Sequence, residues 1–238
     1  MTAEETMDAP RTRGPGALGP LVELREIRKS YRRGPEEVHA LQGVSLSLRP
    51  GRVAALVGPS GSGKTTLLNV LCGWEKPDAG EIRWLGRPGP DLVALQWKDL
   101  AVLPQDLGLM EELSIRENVE LPLRLAGALG DRGRTRVQSM LEGFGLDLLA
   151  DRGPVEVSLG EQQRTALARA LALSPRLLLA DEPTGHQDEG WARVVMRSLR
   201  LAAREGSACL VATHNPEALK YVDEVLAIRD GRVGTGRG

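Results

Sequence analysis

The sequence predicts an α/β protein that contains two kinds of β-sheet. The stretches VAALVG and LLLAD are continuous apolar runs, which are typical of parallel strands buried on both faces. The stretches LVELREIRKSY and VHALQGVSLSL instead alternate apolar and polar residues, as the strands of a half-exposed antiparallel sheet do. We therefore expect a mixed, mainly parallel core sheet beside an antiparallel β subdomain.

Four further segments have the residue spacing of helices. SIRENVELPLRLAG and RTRVQSMLEGFGLDLL are separated by Gly-rich loops and predict a helical insert from about residue 107 to 157. GEQQRTALARALAL and GWARVVMRSLRLAAREG lie on either side of RLLLAD, which is the order that βα units require.

Length and composition predict one folded domain, residues 21 to 238, behind a short tail. Residues 1 to 20 mix acidic residues, proline and glycine without an apolar segment, so we expect a disordered tail that is neither a secretion signal nor a membrane anchor. No stretch approaches about 18 consecutive apolar residues, which predicts that the chain does not span a membrane. Cys72 and Cys209 are too few and too far apart for a disulfide framework, and we expect two buried thiols in a reducing cytosol.

A phosphate-binding motif follows the first apolar run. Residues 58 to 66, GPSGSGKTT, fit the pattern GxxxxGK[ST] between a strand and an apolar helix, a context that a chance Gly-rich turn lacks. Glycines let backbone N–H groups converge on phosphate oxygens, and the helix start adds the positive end of its dipole. The motif predicts that Lys64 reaches the β and γ phosphates and that Thr65 ligates Mg²⁺. The expected nucleotide contacts are Gly58, Pro59, Ser60, Gly61, Ser62, Gly63, Lys64, Thr65 and Thr66.

Two acidic residues stand at the end of the second apolar run, in RLLLADEP. Ligands of open α/β sheets bind at the carboxyl ends of the strands, so Asp181 is placed to hold Mg²⁺ through water. Glu182 is placed to accept a proton from an attacking water, which favours hydrolysis over transfer to a second substrate. The structural alternative is a pair of exposed acids in a turn before Pro183.

The stretch VEVSLGEQQRTALARAL, residues 155 to 171, is the most informative. Ser158 and Glu161 satisfy the S-x-x-E capping box, which predicts a helix with Ser158 as its N-cap. Capping alone would explain the pattern, yet a helix N-terminus beside a flexible residue such as Gly160 is also an anion site. The stretch resembles the LSGGQ or LSGGEQQR signature of ATP-binding cassette (ABC) proteins. From residue 21 to 238 the chain is similar to the nucleotide-binding domain of an ABC transporter, a member of the P-loop NTPases.

The resemblance extends to four other positions in the order of the family. It implies that Tyr31 stacks on adenine, that Gln105 contacts Mg²⁺ and the attacking water, that Asp188 contacts a second subunit, and that His214 contacts the γ phosphate. Each has a structural alternative: Tyr31 as an ordinary strand-end aromatic, Gln105 as a surface polar residue and His214 as the cap of a turn.

The family mechanism implied by this resemblance needs two copies. Each ATP would lie between the phosphate loop of one subunit and Ser158, Gly160 and Glu161 of the other, in a homodimer or a heterodimer of ATPase subunits. The insert would carry the resulting movement to an integral membrane permease, a separate chain that holds the ATPase at the inner face of the cell membrane. SIRENVELPLRLAG, DEPTG and THNPE resemble the lipoprotein-releasing, macrolide-export and cell-division branch, which implies export.

Two departures from the family keep alternatives open. Leu159 stands where the signature has glycine, and its branched side chain is expected to restrict the backbone at a tight helix start. His186 and Gln187 stand where relatives commonly have Asn and Leu, which is expected to place polar groups at a dimer contact. A regulatory or weakly hydrolysing subunit is one alternative. A soluble ABC ATPase in chromosome maintenance, repair or translation is another, although a net charge of −1 argues against nucleic acid as a partner.

Overall fold

The computed structural model describes residues 19–89, 95–185 and 187–235, and ten strands of this part form two sheets. Most of the predicted tail and His186 lie outside the described residues. The strands are β1 (Val22–Arg33), β2 (Glu36–Leu48), β3 (Val53–Val57), β4 (Ala79–Trp84), β5 (Arg87–Pro88), β6 (Leu100–Leu103), β7 (Leu177–Asp181), β8 (Ala208–Ala212), β9 (Glu224–Arg229) and β10 (Arg232–Thr235).

Both predicted kinds of sheet are present. A four-stranded antiparallel sheet has the order β2-β1-β4-β5. A six-stranded sheet has the order β10-β9-β3-β8-β7-β6, with parallel pairing throughout except at its β10 edge. The predicted mixed core sheet and antiparallel subdomain are therefore confirmed.

The core sheet separates two apolar cores, because successive strand residues point to opposite faces. In β7, Leu178 and Ala180 pack into one core, whereas Leu177 and Leu179 pack into the other. This arrangement explains the continuous apolar runs that predicted parallel strands, since both faces of each strand are buried.

In the described part of the chain, five α-helices cover the sheets. Apolar residues of α2 to α5 form the first core together with one face of the core sheet. The second core lies between the other face, α1 and the antiparallel sheet. The helices are α1 (Lys64–Leu71), α2 (Ile115–Leu125), α3 (Asp131–Gly143), α4 (Leu159–Leu171) and α5 (Glu189–Arg204).

The third predicted helix differs from its pattern. RTRVQSMLEGFGLDLL predicted one helix from residue 134 to 149, whereas α3 begins at Asp131 and ends at Gly143. Gly145 has φ +63 and is packed so closely that a Cβ there would lie 2.5 Å from the Trp191 ring. A left-handed glycine ends the helix, and the remaining residues form only a short 3-10 turn, Asp147–Leu149. Both α2 and α3 fall within the range proposed for the insert, whose limits as a subdomain remain a prediction.

Composition also led to expectations about the thiols and membrane spans. Cys72 and Cys209 are both buried and free, as predicted. Burial raises the pKa of Cys72 to about 11 and that of Cys209 to about 12, so both thiols stay protonated near neutral pH. None of the helices in the described ranges is both long and apolar enough to cross a bilayer.

One polar cluster fastens the amino end of β3. Asp223 accepts a 2.9 Å hydrogen bond from the Val53 N–H, pairs with Arg200 of α5 and lies 3.5 Å from Arg52. Burial pushes the pKa of Asp223 upward, but Arg200, the Val53 N–H and Arg52 outweigh it and hold this pKa below its ordinary value. The ionised carboxylate therefore stabilises the fold.

We expect Asp223→Asn to lower the free energy of unfolding by about 1–3 kcal/mol at pH 7, allowing for the partial exposure of Arg200. Because the folded pKa of Asp223 is depressed, its contribution is complete above the unfolded value of about 3.9 and is lost as the pH falls through the folded value. Urea denaturation of both proteins from pH 7 to pH 3 measures this difference. Asp230→Asn, at an exposed acid, is the matched control; equal losses in both variants would contradict the assignment.

Candidate functional site

The phosphate-loop motif forms a tight turn between β3 and α1. A Cβ on Gly58 would lie 2.2 Å from the Ile228 carbonyl oxygen, so only glycine fits there. Gly63 has φ +106 and a Cβ there would lie 2.5 Å from the Ala40 carbonyl oxygen. The Ser62 hydroxyl is buried, and it is the one buried side-chain polar atom without a hydrogen-bond partner among the residues described. The loop thus combines two backbone positions that have no room for a side chain, Gly58 and Gly63, with the unpaired Ser62 hydroxyl.

Lys64 folds back over this loop. Its Nζ donates to the carbonyl oxygens of Gly58, at 2.8 Å, and Pro59, at 3.0 Å. Ser60 and Gly61 lie exposed at the top of the turn. The ammonium group is therefore held above the turn by two carbonyls that an anion can replace.

A hydroxyl and a carboxylate meet beside the loop. Thr65 Oγ1 donates to Asp181 Oδ2 at 3.0 Å. Burial of Asp181 raises its pKa, and the neighbouring Glu182 raises it further, whereas the Thr65 hydrogen bond and Lys64 lower it. Two oxygen ligands of the kind that Mg²⁺ prefers thus lie together at the start of α1.

Glu182 follows Asp181 and is held from two sides. Its Oε1 lies 2.7 Å from His214 Nδ1, and its Oε2 accepts a 3.2 Å hydrogen bond from Thr213 Oγ1. The residue has φ +49, a left-handed conformation that is uncommon for a side chain of this size. Strain of this type is often found where a side chain must be aimed.

The cap of the turn after β8 is a neighbour of His214. Asn215 is the N-cap of the 3-10 helix Pro216–Tyr221, and its side chain accepts from the Glu217 N–H at 2.9 Å. The His214 side chain is 78% exposed. The capping alternative for His214 is therefore wrong. Its ring contacts Glu182 through Nδ1, and most of the ring remains accessible to a ligand.

Tyr31 lies at the edge of the phosphate loop. Burial raises the pKa of its phenol and the neighbouring Glu75 raises it further, whereas Thr66 and Lys29 lower it. Lys29 Nζ lies 5.6 Å from the ring centroid. The aromatic ring is thus fixed next to the last residue of the motif, where a base attached to the bound phosphates could stack.

Gln105 is exposed two residues beyond β6. Because β6 runs parallel to β7, Gln105 lies at the same sheet edge as Asp181.

The predicted signature helix begins as expected. The Glu161 N–H donates to Ser158 Oγ at 3.3 Å, and the Ser158 N–H donates to Glu161 Oε2 at 2.7 Å, which completes the capping box. The Ser158 N–H and hydroxyl both lower the pKa of Glu161. These two side chains bond to each other, so within one chain they do not engage the phosphate loop.

The expectation that Leu159 restricts the backbone at the start of the signature helix is wrong. Leu159 is the first residue of α4, and neither it nor Gly160 is among the residues with positive φ. Its side chain is 47% exposed. Leucine fits this position because the backbone here is ordinary right-handed helix, which needs no positive φ, and because its exposed side chain is not enclosed by the described part of the chain.

Gln187 also corrects an expectation. Its amide nitrogen donates to the Gly160 carbonyl oxygen at 2.9 Å, so this polar group turns inward onto α4 and not outward toward a second subunit. Asp188 is the N-cap of α5, where Oδ1 accepts from the Trp191 N–H at 2.9 Å. His186 lies outside the described residues.

The structure therefore gathers most of the predicted site at one sheet edge: Lys64, Thr65, Asp181, Glu182, Gln105 and His214. Thr213 was missed by sequence reasoning, although its hydroxyl directly precedes His214. Gln163 was missed as well, and its amide donates to the Glu182 carbonyl oxygen at 2.9 Å. A buried glutamine in an apolar helix was the available signal.

Comparisons with known proteins agree with this geometry. A model of the ABC transporter family matches residues 41–185. The chain is 42% identical over 219 residues to the lipoprotein-releasing system ATP-binding protein LolD of Maricaulis maris (strain MCS10), covering 90% of this chain and 96% of that protein. It is 41% identical over 219 residues to the macrolide export ATP-binding/permease protein MacB of Syntrophobacter fumaroxidans (strain DSM 10017 / MPOB), covering 89% of this chain and 31% of that protein.

Solved structures give the same result. The chain is 33% identical to a dimeric ATP-binding cassette in a post-hydrolysis state bound to ADP and Pi, with a TM-score of 0.81 and coverage of 91% of this chain and 99% of that chain. A dimeric bacterial ABC transporter cassette is 32% identical with a TM-score of 0.83, again with 91% and 99% coverage. The chain therefore belongs to the ABC transporter family, as one of its ATP-binding and ATP-hydrolysing subunits.

Proposed function

We propose that two copies of this chain close around ATP and Mg²⁺, hydrolyse the ATP and thereby drive a separate membrane permease. The observation that carries this proposal is the pairing of Glu182 with His214 beside the Thr65–Asp181 hydrogen bond. A candidate base and two metal ligands thus stand at the mouth of one phosphate loop.

The phosphate loop supplies the binding step. Gly58 and Gly63 leave no room for side chains, so backbone N–H groups can approach phosphate oxygens directly. Lys64 would exchange its two carbonyl partners for the β and γ phosphates, and the free Ser62 hydroxyl gives a further donor. The α1 dipole favours the same anion.

The residues present also fit a magnesium ion. No group of three His, Cys, Asp or Glu side chains in the described ranges is placed to hold a metal by itself. This suits Mg²⁺, which proteins hold through one or two side chains together with phosphates and water. Thr65, Asp181 and Gln105 would supply the protein ligands. When bound, the ion would offset the negative charge that develops on the phosphates.

Glu182 performs the chemical step in this proposal. Its carboxylate accepts the proton of a water that attacks the γ phosphate, while Thr213 and His214 fix the direction of the carboxylate. The exposed His214 ring is also available to the γ phosphate itself. Glu182 combines a strained, left-handed φ with a carboxylate held against Thr213 and His214, and strain of this kind clusters at active sites.

A second copy completes the site. Ser158, Gly160 and Glu161 form a helix N-terminus whose dipole favours an anion, but their hydrogen bonds stay within their own turn. Leu159 and Val155, which is 73% exposed, surround this turn with apolar surface. A face with these properties suits a second copy that brings a nucleotide, and two similar solved cassettes are described as dimeric.

The permease partner would dock beside Gln105. A cavity of about 530 Å³ lies there, lined among others by Trp74, Trp97, Pro104 and Asp106. Trp74 is 62% exposed, which is unusual for so large an apolar ring unless it meets a partner. We assign this groove to a segment of the permease, because movement of Gln105 at the nucleotide would reach it directly.

The names of two relatives support a proposal for the direction of transport and the location. One relative is named a lipoprotein-releasing ATP-binding protein and another a macrolide export protein that combines ATPase and permease. We propose an export system in which this chain lies on the cytoplasmic side, held at the membrane by its permease.

Glu182→Gln should lower the ATP turnover of the chain by about 10²- to 10⁴-fold, because the amide cannot accept the proton of the attacking water. The dissociation constant for ATP should change little, since Glu182 does not contact the phosphate loop. Steady-state hydrolysis and an equilibrium nucleotide titration measure the two quantities. Glu189→Gln, at an exposed acid of α5, is the matched control; unchanged turnover in Glu182→Gln would refute the role of Glu182.

Leu159→Gly should leave ATP turnover within about threefold of the wild type, because the backbone at this position is already an ordinary helix. In both proteins, the activity per subunit should rise with protein concentration, since the site is shared. Hydrolysis assays over a range of concentrations give both results. A silent wild type that Leu159→Gly restores would support the regulatory alternative instead.

A further inference from the structure

We infer that Gln187 is a positioning residue that fixes the start of the signature helix to the loop after the catalytic Glu182, and that orients the Gln163 amide bonded to the Glu182 backbone. This inference rests on the proposed function, because it assigns to Gln187 the alignment of the two half-sites that ATP would join.

Gln187 uses its whole amide group. Its Nε2 donates to the Gly160 carbonyl oxygen at 2.9 Å and to Gln163 Oε1 at 3.0 Å. Its Oε1 accepts from Arg164 Nη1 at 3.1 Å. Both amide hydrogens and the oxygen are thus engaged, and all three partners belong to the first turns of α4.

Gln163 continues the connection to the hydrolytic side. It is 3% exposed, and its Nε2 donates to the Glu182 carbonyl oxygen at 2.9 Å. Reversing this amide would place its oxygen against the Glu182 carbonyl and its NH₂ against the NH₂ of Gln187. One orientation is therefore fixed, and three hydrogen bonds run without a gap from Glu182 through two glutamines to Gly160.

Arg164 holds Gln187 from the other side. Its Nε donates to the Phe144 carbonyl oxygen at 2.9 Å, and its guanidinium carbon lies 3.9 Å from the Trp191 ring centroid. Burial lowers the pKa of Arg164, yet the side chain remains charged because an arginine pKa starts so high. A charged donor makes a stronger hydrogen bond to the Gln187 oxygen than a neutral one would.

The hydrogen bonds that connect Glu182, Gln163, Gln187 and Gly160 form a glutamine bridge, which ends at the start of α4. Gly160 lies in the first turn of α4, whose orientation directs Ser158 and the free N–H groups toward the nucleotide of a second copy. A leucine at position 187 could not donate to that carbonyl. Gln163 would pass a displacement of Glu182 at one nucleotide to α4, and Gln187, which bonds both Gln163 and Gly160, would keep the helix start aligned with that movement.

The test compares Gln187→Leu, Gln187→Glu and the wild type. Gln187→Glu keeps the size and the Arg164 partner but replaces both donors by an acceptor that faces the Gly160 and Gln163 oxygens, so it removes these hydrogen bonds without removing volume. We expect both variants to lower kcat by about five- to tenfold and the Hill coefficient for ATP to about 1. The ATP dissociation constant, measured on monomer at low protein concentration, should stay within about twofold. Gln138→Leu, on α3 and bonded to Arg116 and Glu142, is the matched control.

Two results would overturn the inference. One is a kcat and Hill coefficient near wild type in Gln187→Glu, which would leave only a packing role for the side chain. The other is a parallel loss of kcat, of ATP affinity and of melting temperature, which would show general destabilisation. A wild type without ATP hydrolysis would refute the proposed function itself, whereas an active, cooperative wild type with unaffected variants would refute only the glutamine bridge.

Discussion

Parallel pairing of three neighbouring strands, β3, β8 and β7, is the constraint on which the rest of this site depends. Parallel strands end at the same edge, so the residues that follow each strand are brought together without any contact between their side chains being required. The ladder continues past the strands. The Glu182 N–H donates to the Ala212 carbonyl oxygen at 2.9 Å, and the Thr213 N–H donates to the Leu56 carbonyl oxygen at 3.1 Å. The phosphate loop, Asp181 with Glu182, and Thr213 with His214 therefore lie at the ends of three strands whose backbones are hydrogen-bonded to one another.

The same edge concentrates features that oppose folding. Asp181 is 7% exposed and burial raises its pKa, Glu182 has a left-handed backbone, and Ser62 has a buried hydroxyl without a partner. Each disfavours the folded chain, and a bound Mg²⁺-nucleotide would give partners to the Asp181 carboxylate and the Ser62 hydroxyl. The sheet tolerates them because it is buried on both faces between two apolar cores. Along β7, the last residue of the apolar core, Ala180, directly precedes Asp181 of the candidate site.

Local patterns carried much of the prediction. The apolar runs predicted parallel strands because burial on both faces leaves no polar side, and S-x-x-E predicted the helix start because the capping box is complete within four residues. Two predictions that were wrong, the end of α3 and the orientation of Gln187, involve contacts with residues far away in the sequence. The end of α3 follows from Gly145 packing on Trp191, 46 residues later by number (191 − 145). The inward turn of Gln187 depends on Gly160, Gln163 and Arg164, and no local pattern contains that information.

Sedimentation velocity of the Glu182→Gln protein tests directly whether two copies share each nucleotide site, because it measures the oligomeric state with and without nucleotide. At one protein concentration, this protein should be monomeric without nucleotide and with Mg²⁺-ADP, and dimeric with Mg²⁺-ATP. ATP that is bound but not hydrolysed holds both half-sites together, which is the differential affinity that a conformational drive requires. A protein that binds ATP yet stays monomeric at every concentration would contradict the account.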